Sequence, residues 1–296
     1  MRRWIGAAAV GLTAVLASPT LAQDAETPTR VDDVVVEGRP LESVARSFVE
    51  EVSAPARTRG LARWDGVVCI GVVNFEAEAA HLIIDRMSDV ARDLGVDLGE
   101  PGCDPNLVVA GTTDGRGMAE SMVSRHRQQF FRFGYTRSNA GSGALERFRT
   151  SDAAVRWWHV SLPIVVTTGE VAVRLPGRGP WAPPPECTSR RHGLDFRGCD
   201  LISDRLMRLI IIVDVDALPS LTYAQLADYL TMIGLAQIDD QGEWDRFDTV
   251  LNVLEDPSGV SGLTTWDLAY LDGLYSGEDE RISARDQADR LVTRLR

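Results

Sequence analysis

The run "LMRLIIIVDVD", Leu206 to Asp216, constrains the fold more than any other stretch. It is the most apolar segment after the N-terminus, and it falls well short of the ~20 residues that span a bilayer as a helix. A strand apolar on both faces belongs inside a sheet covered from both sides, so a central strand is predicted here. The chain next reads "LTYAQLADYLTMIGLAQ", where local signals for a helix start agree with one another. Thr222 is an N-cap, Gln225 three residues on completes a capping box, and Leu221 with Leu226 forms a hydrophobic staple. Leu226, Leu230 and Ile233 predict a buried stripe, and Gly234 is expected in the left-handed conformation that lets a chain leave a helix. Asp228 and Thr231, three apart, are expected on one face. The class that follows is α/β (α+β): a mixed sheet with packed helices, its central strand 206–216 leading into a helix over 222–234.

Upstream the pattern is strand, helix, strand. "VVCIGVVN" (Val67 to Asn74) is a buried-type strand, and a helix follows from about Ala77 to Leu94. Its apolar face is Ala80, Ile83, Ile84, Met87, Val90, Ala91 and Leu94, and Gly95 stops it. "NLVVAG" (Asn106 to Gly111) is the second strand. A helix is expected from Met118 to Phe133, a loop from Gly134 to Gly143, and strands at Trp158 to Val166 and Glu170 to Gly177. Before the first strand, "LESVARSFVEEV" has Leu41, Val44, Phe48 and Val52 at helical spacing and is expected to pack outside the main domain. With 44% hydrophobic residues the chain can bury a sizeable core.

Arg2 and Arg3 precede an apolar run from Trp4 to about Ala17, then Pro19 and small residues ending at Ala22: a secretory signal peptide. The expected layout is a leader over 1–22, a tail and helix over 23–58, one domain over 59–277 and a closing helix over 278–296. The mature chain is expected to be exported, to periplasm or beyond, and to carry no membrane span. Losing the leader's two arginines moves the formal charge from -12 to -14, and all 31 basic residues are arginine. Such an acidic chain is a poor partner for nucleic acid, whose phosphates need clustered cations. An even cysteine count in an exported chain argues for disulfides. Cys69 with Cys103 and Cys187 with Cys199 is the favoured pairing of the three available. A zinc site made by all four is disfavoured, because none of the spacings is a CxxC knuckle.

Laid on "ADYLTMIGLAQ", the metzincin pattern HExxHxxGxxH keeps only its Gly, at Gly234. Its His positions fall on Ala227, Thr231 and Gln237 and its Glu on Asp228. In "GLTTWDLAYLDGLYSG", Leu263, Thr264, Asp267, Leu271, Leu274 and Tyr275 are similar to the closing helix of matrixin-like metzincins, and "DTVLNVL" (Asp248 to Leu254) stands where that family has its Met-containing turn, without the Met. The resemblance implies a degenerate zincin-like fold without a metal or cofactor, because neutral Thr and Gln oxygens hold zinc far less well than imidazole. Helix-start chemistry accounts for half of the closing motif by itself. The chain also resembles a group of exported bacterial proteins with the same "LADYL…GLAQ" and "LTxWDxAYLxxLY" segments, a likeness that implies no activity.

Other chemistry is sparse. His81, His126, His159 and His192 form no ligand spacing. Asp214 and Asp216 end the central strand, where α/β sheets place ligands, though such residues more often cap turns. With Asp228 and His159 they make the alternative, a hydrolase with an unrecognised site; "GSG" at Gly141 to Gly143 lacks the strand context of a nucleophile elbow. Arg178, Trp181, Arg190, Arg191 and Arg197, in the expected cystine loop 177–199, make a basic aromatic patch suited to contact. "VDDVVVEG" resembles the segment of TonB-dependent receptors that pairs as an added strand, which would use Val31, Val34, Val35 and Val36; an ordinary edge strand is the simpler reading. The expectation is an exported, non-catalytic protein that binds a protein, peptide or envelope component.

Overall fold

Leu209, Ile211 and Val213 face one side of the sheet and Ile210 and Ile212 the other, and each set is buried under its own layer of helices. The computed structural model describes residues 40–56, 59–131, 141–166, 168–172, 202–277 and 282–296. The leader, the Val31 to Gly38 segment and the loop carrying Trp181, Cys187, Arg190, Arg191, His192 and Cys199 lie outside the described residues. The elements are α1 (Leu41–Val52), β1 (Ile70–Val73), α2 (Ala77–Asp93), β2 (Leu107–Thr112), α3 (Gly115–Phe131), α4 (Ser142–Thr150), β3 (Val155–Val165), β4 (Ile202–Asp214), α5 (Tyr223–Leu235), a 3-10 turn (Val250–Leu254), α6 (Thr265–Tyr275) and α7 (Ala284–Leu295). The expected α+β class is present as a mixed sheet of order β1-β2-β4-β3.

β1 pairs parallel to β2 and β2 parallel to β4, in the registers Ile70 with Leu107 and Leu107 with Leu209. A parallel pair needs a crossover, and α2 supplies it between β1 and β2. β3 runs antiparallel to β4 from Val155 opposite Val213. The apolar run at 206–216 therefore does lie inside the sheet. α2 and α5 cover one face. Ala119, Val123, Leu145 and Phe148 from α3 and α4 cover Trp158, Val160, Ile210 and Ile212 on the other. The Cys69–Cys103 disulfide, Cα atoms 6.0 Å apart, ties the chain entering β1 to the loop before β2. Among the described residues no helix is long and apolar enough to cross a membrane.

Several expectations need correcting. α1 does not pack outside: Phe48 is fully buried, edge-on to Phe247, Trp266 and Tyr270 at 5.3 to 5.9 Å. Its amphipathic stripe is a core face, which periodicity alone cannot assign to a partner. The expected loop ends instead in α4, whose Phe148 meets Trp158 at 6.1 Å between ring centres. That helix is short and its preceding residue, Gly141, makes no side-chain cap, so packing rather than local signal forms it. Of the strand expected at Glu170 to Gly177, the described part shows one bridge, Val171 with Ile164.

Gly95 stops α2 as expected, at φ 76°. Gly234 does not stop α5: it lies inside the helix, which runs on to Leu235. A Cβ there would sit 2.3 Å from Met87 Cε of α2 and 3.4 Å from Leu107 Cδ1 of β2. Absence of a side chain lets the two helices close, and Trp64 Nε1 donates to the Gly234 carbonyl at 2.8 Å. Gly234→Ala is expected to cost about 2 kcal/mol in urea unfolding, because overpacking outweighs the gain in helix propensity. An unchanged midpoint would show that Met87 simply moves aside.

Candidate functional site

The segment that leaves α5 is clamped against the end of α1. Ala54 N–H donates to the Gln237 carbonyl and Asp239 N–H to the Val52 carbonyl, both at 2.9 Å, and Ser53 bridges Ile238. Opposite this clamp stand the outer edge of β3 and the start of α4. Between them is a pocket of about 510 Å³, lined by Ser53 to Pro55, Gly143, Ala144, Arg147, Trp157 to His159 and Gln237 to Asp240.

The β3 wall is an edge of the sheet, bridged on its outer side at Ile164 by Val171. In an antiparallel strand alternate residues turn their backbone groups toward the neighbour and away from it. The Ala154 carbonyl accepts from Asp214 N–H, so the even-numbered residues bond β4 and the odd-numbered ones face out. Three outward positions are occupied: the Ser161 carbonyl takes Arg59 Nη1 at 3.0 Å, the Pro163 carbonyl takes Ala172 N–H, and Val165 N–H donates to the Glu170 carbonyl. Pro163 fits mid-strand because its missing N–H would point outward. Among the described residues, the backbone groups of Trp157 and His159 have no partner on that side.

Around this edge the side chains are largely fixed. Trp157 Nε1 donates to the Ile238 carbonyl at 3.0 Å. His159 is 7% exposed, and its Nε2 lies 3.0 Å from the Ile233 carbonyl. A carbonyl only accepts, so Nε2 carries the proton, and the Ala236 carbonyl is a second acceptor beside the ring. Burial pushes the imidazole pKa down to about 4, hence the ring is neutral. Arg147 grips Asp240 with both ends of its fork, Nε to Oδ2 at 2.8 Å and Nη2 to Oδ1 at 2.7 Å. Asp239 is half-buried; burial and then the neighbouring Asp240 and Glu51 push its pKa up, against a hydrogen bond from Gln241 N–H and the nearby charge of Arg147. Gln237 is 4% exposed, and among the described residues its buried side-chain oxygen has no hydrogen-bond partner.

The positions that fall on the metal-ligand pattern divide. Ala227 is fully buried and has no donor atom. Thr231 is 0% exposed and its hydroxyl donates to the Ala227 carbonyl at 2.7 Å, a bond to its own helix. Gln237 alone reaches the pocket. These positions do not make a donor set that fits zinc, and among the described residues no three His, Cys, Asp or Glu side chains gather at metal distance. Asp228 and Thr231 do not share an open face, because α5 is buried on almost every side. Asp228 pairs with Arg86 and accepts Leu263 N–H at 3.0 Å, joining α5 to α2 and to the start of α6.

The alternative hydrolytic residues are dispersed. Asp214 accepts Gly115 N–H at 2.8 Å and caps α3, and Asp216 is exposed in the following turn. His81 lines a different pocket with Asp228, away from His159. Sequence reasoning missed Trp157, Arg147, Asp239 and the edge backbone. Pro163 within an apolar strand was the one signal for an edge. No protein-family model matches the chain, and neither a curated protein nor a solved structure matches it.

Proposed function

We propose that the chain is an exported, non-catalytic protein of degenerate zincin-like fold that captures an extended peptide by strand addition to β3. The observation that carries this reading is the outward backbone of Trp157 and His159, which among the described residues has no partner at the wall of a pocket that Gln237 also lines. An added strand satisfies such groups, main-chain bonds supplying affinity and pockets for alternate side chains supplying selectivity. The zincin-like reading is supported by the central strand running into a capped helix and by Tyr275 of α6, whose hydroxyl donates to the Leu235 carbonyl at 2.7 Å. A non-catalytic role is supported by Ala227 and Thr231 being packing residues.

Hydrogen exchange on the mature chain tests the reading. With a pool of capped, unstructured hexapeptides added, the Trp157 and His159 amides are expected to gain protection of at least ~10-fold, as new strand hydrogen bonds form. A pool N-methylated on every residue, which leaves no N–H on either edge, is expected to give none. Protection confined to another surface, or none with either pool, overturns the proposal.

A further inference from the structure

An ion pair crosses the groove that a peptide must enter to reach β3; this inference rests on the strand-addition reading above. Arg147 belongs to α4, whose Leu145 and Phe148 pack on the Ile210 and Ile212 face of the sheet. Asp240 follows Ile238, which packs in the core of the opposite face. A bond between the two faces has to pass around the outside of the sheet, and β3 is the edge strand there. Arg147 Nε donates to Asp240 Oδ2 at 2.8 Å and Nη2 to Oδ1 at 2.7 Å, a two-pronged contact of fixed geometry. Both residues line the pocket beside Trp157 and His159. Their side chains are 41% and 34% exposed whereas His159 and Gln237 are buried, so the pair lies at the mouth and the strand edge behind it.

We propose that the Arg147–Asp240 pair is a latch over the β3 edge, closed in the free chain and displaced when an extended peptide pairs with Trp157 and His159. An added strand runs about 4.8 Å out from its neighbour, with side chains projecting to both faces of the sheet. That path crosses the line that the pair spans. Opening needs no movement of α4: the arginine side chain turns into solvent while Leu145 and Phe148 keep the helix on the sheet. A partly exposed pair is weak beside a row of new main-chain hydrogen bonds, so a matched strand opens it and a single stray contact does not.

The test follows the anisotropy of capped Thr-Val-Thr-Val-Thr, an uncharged peptide with an uncharged BODIPY label, as the mature chain is added. Arg147→Ala and Asp240→Asn are each expected to bind it about fourfold more tightly than wild type, the strength of one partly exposed ion pair. The exchanged double variant, Arg147→Asp with Asp240→Arg, re-forms the latch and is expected to return to wild-type affinity. Arg149→Gln, which breaks a pair with Glu146 inside α4 and outside the pocket, is expected to change nothing. The wild-type chain carries a second test: about 1 M NaCl screens the latch and is expected to tighten binding by a similar factor, with no effect on Asp240→Asn. Single variants no tighter than wild type, an exchanged variant as tight as the singles, an equal gain from Arg149→Gln, or a wild-type affinity indifferent to salt overturns the latch while strand addition stands. Absence of binding by every form fails the strand-addition reading itself and the latch with it.

Discussion

Asp267→Ala is expected to lower the unfolding free energy by about 4 kcal/mol, as breaking a buried charged network does. Asp267 is 0% exposed and accepts only from donors. These are Thr249 Oγ1 at 2.6 Å, Val250 N–H at 2.7 Å, Thr264 N–H at 2.9 Å and Thr264 Oγ1 at 3.0 Å. The carboxylate both closes the capping box of α6 and holds the start of the 3-10 turn Val250–Leu254 against it. Alanine strands the buried Thr249 hydroxyl and Val250 N–H at once. Asp267→Asn keeps one acceptor but turns an N–H₂ toward donors, so about half of that loss is expected from the unmet bonds. Urea unfolding followed by tryptophan fluorescence measures both. A loss below ~1 kcal/mol for the alanine variant would mean that water replaces the carboxylate, against the cost of an unmet buried donor.

Acidification is expected to destabilise the fold through His159, by about 3 kcal/mol between pH 6.5 and 4, since one pKa unit is worth about 1.4 kcal/mol. The sign follows from proton binding. Burial lowers the folded pKa from 6.5 to about 4, so between those values the unfolded chain binds the proton and the folded one does not. Stability is complete above 6.5 and is lost as pH falls toward 4. Asp267 acts in the opposite sense: burial raises its pKa above 3.8, so the folded chain holds that proton more tightly and gains from acid in a window beginning at 3.8. His159→Gln keeps a donor for the Ile233 carbonyl without a titrating ring, and its stability is expected to be flatter by that amount across the His159 window. A wild-type chain equally stable at pH 6.5 and 4.5 would show that the imidazole titrates freely.

Much of the fold was legible because its signals are local. Capping boxes at Thr222 and Thr264 form as their side chains predict, both bonds of each being present. The apolar run at 206–216 reports burial on both faces, and the favoured Cys69–Cys103 pairing, which ties a strand to the next turn, is present. The candidate site was much less legible. Of the positions singled out around the metal pattern, only Gln237 reaches the pocket, and Trp157 and Asp239 carried no pattern at all. An amphipathic stripe such as α1 says that a face is buried but not against what, and α4 gave no signal because neighbours, not capping, form it.

The sequence by itself determined where the capped helix after the central strand begins and which strand lies inside the sheet, since these depend on residue types and short spacings. Only the tertiary structure decided that Gly234 is a contact between helices rather than an exit and that β3 lies at an edge of the sheet. It alone brought Gln237, Asp239 and His159 to one pocket, because residues from separate elements meet only when the sheet order and the helix crossings are set.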